Sequence, residues 1–354
     1  MFRKFVRCAF SCSLIVCFLC SCGLNQSEQT AKLSKYTASY IDYFDTVCTI
    51  VGYEESKEEF DKVAKKTETL LSEYNKLYDI YHSYEGINNI RTINQNAGIS
   101  AVKVDKKIID LIDFSETLYE LTGGTVNIAM GSVLSIWHDY RNRYVDDEKN
   151  AKLPEMETLR EANLHTDFSK IVINREESTV YLSDEKMMLD VGAVAKGYAT
   201  EEIAKILIAD GVTNYALNFG GNIRTIGSKG DGSDWSAAVA NPDKTSEETS
   251  IMKVRLNNQA FVTSGSYERY YTVNGVRYHH IIDPKTLMPN NTFSAVSILA
   301  KDSGIADVLS TALFNLTYEQ GKEIISKLDG VEALWVTDKY EIFYSDGFAD
   351  IIID

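Results

Sequence analysis

"YERYYTVNGVRYHHIID", residues 267–283, is a run of aromatic and β-branched residues broken once, at Val273-Asn274-Gly275-Val276. Asn-Gly between two such runs is the strongest short-range sign of a two-residue hairpin, because both central residues must take positive φ. The segment therefore predicts a pair of antiparallel strands. The pattern repeats outward along the chain. "KIVINREESTVYLSD" (170–184) and "VEALWVTDKYEIFYSDGF" (331–348) read as hairpins. "YIDYFDTVCTIVGY" (40–53) reads as a strand; "NYALNFGGNIRTIGS" (214–228), "WSAAVANP" (235–242), "QAFVTSG" (259–265) and "FSAVSILA" (293–300) read as strands or hairpins. Helical spacing separates them. Phe60, Val63, Leu70, Leu71, Tyr74 and Leu77 mark a long amphipathic helix over 56–84. "KKIIDLIDFSETLYELTGG" (106–124) is stopped by two glycines, and "GAVAKGYATEEIAKILIADG" (192–211) and "DSGIADVLSTALFNL" (302–316) are two more helices. Long helices among antiparallel hairpins predict an α+β fold with antiparallel or mixed sheets and long flanking helices, not a doubly wound parallel sheet. The length of 354 residues suggests two domains, but four prolines and no visible linker inside 40–354 argue for one.

The N-terminus has a different character. "MFRKFVR" is basic, and "CAFSCSLIVCFLCSC" after it is apolar or small, the layout of a secretory signal. It ends in "LCSC" (19–22), a lipobox of bacterial lipoproteins, so residues 1–21 are expected to be removed and Cys22 lipidated; the alternative is an uncleaved anchor. Either route puts the globular part outside the cytoplasm on the membrane of a bacterial cell. Residues 22–39 are expected to be a flexible tether. Only Cys48 of the six cysteines lies beyond residue 22, so an intrachain disulfide or Cys-based metal site in the body is excluded. The formal charge is −15, and losing Arg3, Lys4 and Arg7 with the signal takes it to −18. Such a surface disfavours nucleic-acid phosphate, and any anionic ligand must be held by a local cation or by backbone N–H groups.

Several segments could carry chemistry. In "MLDVGAVAKGYATEEI" (188–203) a strand is expected to end at Asp190, followed by a tight turn and a helix with Lys196 in its first turn. Free N–H groups and a lysine there suit phosphate; the plain alternative is a junction with a solvated lysine. The GxxxxGK[ST] spacing of a P-loop is absent. The paired glycines of "LNFGGNI" (217–223) either admit a ligand closely or make a structural bulge. Asp307 and Thr311 are four apart on a predicted helix, which places both oxygens on one face. That pair suits a hard cation such as Mg²⁺, and equally a cap or core contact. Trp137 and His138 could cover a planar ligand or belong to the core. Ser264 and Ser266 lack the GxSxG context of a hydrolase nucleophile. In "HHIIDPKTLMP" (279–289) adjacent histidines on a strand point to opposite faces, which weakens a zinc site.

Taken in order, "FDTVCT", "VNIAMGSVLSIW", "LDVGAVAKGYA", "ALNFGGNI", "VTSGSYERYY", "HHIIDPKT" and "IADVLSTAL" resemble the successive motifs of the ApbE family of FAD:protein FMN transferases, from about residue 40 to about 318. The resemblance implies Mg²⁺-dependent transfer of the FMN half of FAD to a Thr or Ser hydroxyl of an extracytoplasmic flavoprotein, with release of AMP. The expected acceptor is a flavoprotein subunit of a membrane electron-transfer complex. It implies Asp307, Thr311 and the Ala193 carbonyl as metal ligands, and Asp190 and Lys196 as FAD contacts. Val47, Tyr81, Thr125, Val126, Asn127 and one of His279 and His280 are further FAD contacts on the same grounds. Asp283 and His280 are the expected helpers in deprotonating the acceptor hydroxyl. Two departures stand out: "TVCT" (46–49) lacks the usual Met-Gly, and Leu287 stands where Gly often follows "DPKT". The alternatives are a Mg²⁺-dependent FAD pyrophosphatase and a surface lipoprotein that binds flavin without turnover.

Overall fold

The computed structural model describes residues 33–353; the signal segment, Cys22 and the first part of the expected tether lie outside them. In chain order, β1 (Ser34–Tyr43) and β2 (Thr46–Glu54) lead into α1 (Lys57–Tyr78), α2 (Ile90–Gln95), β3 (Val102–Lys103), α3 (Lys106–Leu121), α4 (Gly131–Tyr144) and α5 (Met156–Asn163). The hairpin β4 (Ile171–Asn174) and β5 (Thr179–Leu182) precedes α6 (Ala195–Ala209). Then come β6 (Tyr215–Phe219), β7 (Asn222–Ile226), β8 (Trp235–Ala240), β9 (Ser250–Leu256), β10 (Ala260–Gly265), β11 (Tyr270–Val273), β12 (Val276–His279) and β13 (Phe293–Ala300). α7 (Ser303–Phe314), α8 (Tyr318–Ile325), β14 (Glu332–Thr337) and β15 (Ile342–Tyr344) close the chain.

The frame is an eight-stranded sheet in the order β1-β2-β6-β7-β10-β13-β14-β15. All of its pairings are antiparallel. Successive side chains of a strand face opposite ways, and the sheet sorts its apolar residues accordingly. Ile50, Tyr215, Leu217, Phe219, Val262, Val296, Ile298 and Trp335 join the core under the helices. Their neighbours Val51, Ala216, Phe261, Ala295, Leu299 and Leu334 pack on the other side against the β8–β9 hairpin and Phe348. A third, smaller cluster joins Trp137 of α4 to Tyr271, Tyr278 and Leu287. The fold is α+β, as the hairpins predict.

Asn274 and Gly275 both take positive φ, 52° and 77°, and register Val273 opposite Val276. The stretch 40–53 is two strands rather than one, with Phe44 and Asp45 at positive φ making the bend between β1 and β2. Residues 34–39, expected to belong to the tether, are instead the start of β1, paired with β2. Their polar alternation suits an edge strand that is largely exposed. No helix among the described residues is long and apolar enough to cross a membrane.

One buried ion pair sets the two helices that matter for the site. Glu201 on α6 takes Nε and Nη2 of Arg224 on β7 at 2.8 and 3.2 Å, and accepts the Ser303 N–H at the start of α7 at 2.8 Å. Both side chains are almost wholly buried, so removing either one would leave an uncompensated buried charge.

Candidate active site

α6 and α7 cross so closely that a Cβ on Gly197 would lie 2.3 Å from Asp307 Cβ and 2.5 Å from the Ser303 carbonyl oxygen. Glycine is required there by contact, not by conformation. The closeness lets the Gly197 N–H donate to Asp307 Oδ2 at 2.8 Å. Gly197 is the third residue of α6, so its N–H is one of the first-turn amides that no carbonyl of the helix takes; the Ala193 carbonyl, ahead of the helix, receives no hydrogen bond among the described residues. Lys196 Nζ lies 3.6 Å from the same Asp307 oxygen. Burial pushes the Asp307 carboxyl up, while Lys196, the Gly197 N–H and the Asn222 side chain pull it down. Thr311 lies one turn on, half-buried, its Oγ1 3.5 Å from Ser264 Oγ.

The cluster therefore offers a carbonyl, a carboxylate and a hydroxyl, all oxygen donors, with a lysine beside them. That set suits a hard divalent cation that keeps room for a ligand's own oxygens. The buried Asn222 Oδ1 has no partner, which leaves a polar atom of the pocket available. Asp190 is not the end of a regular strand: Met188 makes an isolated bridge to Met130, and the Asp190 N–H donates to the Ile128 carbonyl at 2.8 Å. Its Oδ1 accepts the Gly192 N–H at 2.9 Å, holding the turn that presents Ala193.

A rim of aromatic and cationic residues adjoins this crossing. Asp79 stops α1 and accepts from the N–H groups of Tyr81 and His82 at 2.6 and 3.0 Å, so Tyr81 sits in a loop rather than on the helix. The Tyr81 hydroxyl shares a hydrogen bond with His138 Nδ1 at 3.0 Å, and His138 Nε2 is 3.8 Å from Asp190 Oδ2. Burial, then the Asp190 charge, pushes the Tyr81 hydroxyl up to about 12. Arg141 and Arg269 approach each other here, and burial plus that repulsion pulls Arg141 down. Arg269 donates to the Asp45 carbonyl at 3.3 Å, tying the rim to the β1–β2 bend, where Val47 is exposed. The Gly220-Gly221 pair makes the two-residue turn between β6 and β7, both at positive φ, and Gly220 N–H donates to the Val47 carbonyl at 3.2 Å.

Three expectations are corrected. His279, expected at FAD, faces the core: its Nδ1 accepts the Ile281 N–H at 3.2 Å and its Nε2 donates to the Asn290 carbonyl at 3.0 Å, with Phe314 edge-on at 5.4 Å. Both ring nitrogens are committed, and burial pushes the imidazole down to about 4. His280 faces the other way, within the field of Arg269, Arg141 and Lys196, and its buried Nδ1 has no partner. Burial, then those charges and His279, push it to about 3, so it is neutral. Asp283, expected to help at the metal, instead accepts the Lys285 N–H at 2.9 Å and takes the Leu287 N–H on its carbonyl at 2.8 Å; no hydrogen bond or ion pair joins it to Asp307 or Thr311. The side chains of residues 125–127 are also spent: Thr125 Oγ1 donates to the Thr122 carbonyl, Asn127 Nδ2 to the Thr166 carbonyl, and Val126 is buried, so only their backbone can meet a ligand.

Leu287 takes φ 61°, a left-handed conformation that Gly would adopt freely. Its side chain is buried in the α4 cluster and its carbonyl accepts the Trp137 indole N–H at 3.0 Å. The strain of about 1–2 kcal/mol is offset by that burial. Arg141, Arg269, Asn222, Ser264, Glu201 and Arg224 were not singled out from sequence as groups of the site or its frame. Unpaired arginines in so acidic a chain were the available hint for the first two.

Comparison with known proteins agrees with this geometry. A family model described as the ApbE family matches residues 44–335. The FAD:protein FMN transferase of Treponema pallidum (strain Nichols) is 30% identical over 351 residues, covering 95% of this chain and 93% of that protein. The FAD:protein FMN transferase of Klebsiella pneumoniae (strain 342) is 27% identical over 289 residues, covering 80% and 87%. The crystal structure of the ApbE protein of Thermotoga maritima superposes with a TM-score of 0.78 at 27% identity, covering 91% of this chain and all of that one. The fold, the ordered motifs and these matches agree: the chain belongs to the ApbE family.

Proposed function

We propose that this protein transfers the FMN half of FAD to a Thr or Ser hydroxyl of a partner flavoprotein and releases AMP. The observation that carries the proposal is the α6–α7 crossing, where Asp307 takes the Gly197 N–H beside Lys196, with the Ala193 carbonyl just ahead of α6 and Thr311 one turn beyond Asp307 on α7. Asp307, Thr311 and that carbonyl would hold Mg²⁺, which when bound draws charge from the diphosphate of FAD and eases its cleavage. Lys196 adds a full positive charge against the same diphosphate. Arg141 and Arg269 offer two more to the substrate at the rim, and the exposed Tyr81 offers aromatic cover for a flavin. His280 is the one of the two expected helpers that keeps a free ring nitrogen. In the transfer the acceptor oxygen bonds to the FMN phosphorus, the bond to the AMP oxygen breaks, and the hydroxyl proton passes to His280 Nδ1. Burial is the main cause that holds this imidazole neutral, with His279 and the three cations after it; a bound diphosphate would offset the cations and so raise its affinity for the proton.

The extracytoplasmic face of a bacterial membrane is the proposed location, with Cys22 as the lipid anchor and the acceptor a flavoprotein subunit of a membrane electron-transfer complex. The test is to incubate the protein with FAD and Mg²⁺, with and without such a subunit. AMP release that requires the acceptor, with FMN bound covalently to a Thr or Ser, supports transfer; equal release without acceptor sinks it in favour of simple FAD hydrolysis. Cys22→Ser should release the protein from membranes, and continued retention means an uncleaved apolar anchor.

A further inference from the structure

Four threonines well inside helices of this protein bond back to their own helix. Thr67, Thr69, Thr117 and Thr200 donate to the carbonyl four residues earlier, at 2.9, 3.0, 3.1 and 2.7 Å. Thr311 on α7 does not: the carbonyl it would use, that of Asp307, takes the Ser310 hydroxyl instead, at 2.8 Å. Ser310 Oγ is 2.7 Å from Ser264 Oγ on β10, and Ser264 Oγ is 3.5 Å from Thr311 Oγ1.

The protons of this chain can be counted. Each hydroxyl has one proton to give, and a carbonyl has none. The Ser310 proton therefore lies on the Asp307 carbonyl, and Ser310 can only accept from Ser264. Ser264 has then spent its own proton and can only accept from Thr311. The order of donation is Thr311 to Ser264 to Ser310 to the Asp307 carbonyl. The Thr311 hydrogen is turned to the strand, and its lone pairs are left for the side it shares with Asp307. We propose that Ser264 and Ser310 are positioning residues, which fix the direction of the Thr311 hydroxyl so that it meets a divalent cation as an acceptor. This rests on Asp307 and Thr311 holding that cation. The last link is long for an O–H···O bond, so it contributes direction more than energy. Outer partners of metal ligands change affinity by about 10–100-fold when removed.

The neighbouring residue supplies a control. Thr263 Oγ1 bonds Ser297 Oγ at 2.8 Å, from the same strand but on its other face. The test is titration of the purified protein with Mn²⁺ in the presence of FAD, followed by electron paramagnetic resonance, with melting temperature measured alongside. Ser264→Ala should weaken Mn²⁺ binding about tenfold, and Ser264→Thr, which keeps the hydroxyl, should retain it. Ser310→Ala should weaken it more, because the freed Ser264 proton turns to Thr311 and the Thr311 hydrogen then faces the cation. The double variant should return to the level of Ser264→Ala. Thr263→Val should leave Mn²⁺ affinity unchanged. Wild-type affinity in Ser264→Ala, or losses in the two serine variants that simply add, overturns the proposal; should Ser264→Ala not fold, Ser310→Ala set against the double variant and Thr263→Val decides it. Asp307→Ala separates the two levels: if it binds Mn²⁺ normally, the cation site itself is wrong, whereas if it alone loses binding, only the relay is wrong.

Discussion

The α6–α7 crossing and the rim around α4 both bring charges to bear on His280 and are built in opposite ways. At the crossing nearly everything is fixed by backbone and close contact: a glycine with no room for a methyl, a first-turn N–H taken by Asp307, and a buried Glu201–Arg224 pair that ties both helices. At the rim the groups are long, half-exposed side chains, Tyr81, Arg141 and Arg269, held by single hydrogen bonds or by none. The difference suits two tasks. Oxygen donors must sit within fractions of an ångström to hold a small hard cation. A large anionic substrate can be gathered by cations that adjust to it.

This contrast can be broken at several points. The largest effect is expected from Asp307→Ala, which should cut metal-dependent AMP release by about a thousandfold, several kcal/mol of lost charge stabilisation; normal turnover would overturn the assignment of the crossing. Gly197→Ala comes next. Its methyl must displace Asp307 or the Ser303 backbone, so urea denaturation should show a loss of about 1–3 kcal/mol together with weakened turnover. An unchanged midpoint would mean that the helices can part freely.

A third test lies at the paired histidines. Histidine in an unfolded chain titrates near 6.5, whereas His279 and His280 are pushed to about 4 and about 3. Below pH 6.5 the unfolded chain binds protons that the folded protein refuses. Stability is thus full above that pH and falls as pH drops toward 4 for His279 and toward 3 for His280, by about 2 kcal/mol per histidine between pH 7 and pH 5. His279→Gln should flatten the fall, and an unchanged pH profile would mean that the core-facing imidazole is not held neutral. The smallest effect is expected at the rim. Arg141→Ala should raise KM for FAD about tenfold with kcat little changed, the pattern of lost uniform binding. A matching fall in kcat would put Arg141 with the groups that act on the reacting phosphate.

The sequence made the frame legible because hairpins and amphipathic helices announce themselves over short distances. Asn274-Gly275 specified its turn, and the spacing of Asp307 and Thr311 put both on one face of α7. The pleat also separated His279 from His280, but only the structure could say which phase of the strand is the core. What stayed hidden depends on groups far apart in sequence. The Gly197–Asp307 bond spans 110 residues, and Arg269 reaches the Asp45 carbonyl across 224. Ser264 reads as a small residue in a turn until α7 is laid beside β10. The start of β1 was missed for a different reason: a polar edge strand resembles a tether when its partner is unknown.

The Gly197–Asp307 bond has a consequence for how the protein folds. Gly197 is on α6 and Asp307 lies 110 residues on, on α7. Until α7 docks, the first-turn amide of Gly197 has no partner but water, and Asp307 is not beside Lys196. The proposed cation ligands therefore come together only when the last long helix packs, and not with α6 itself.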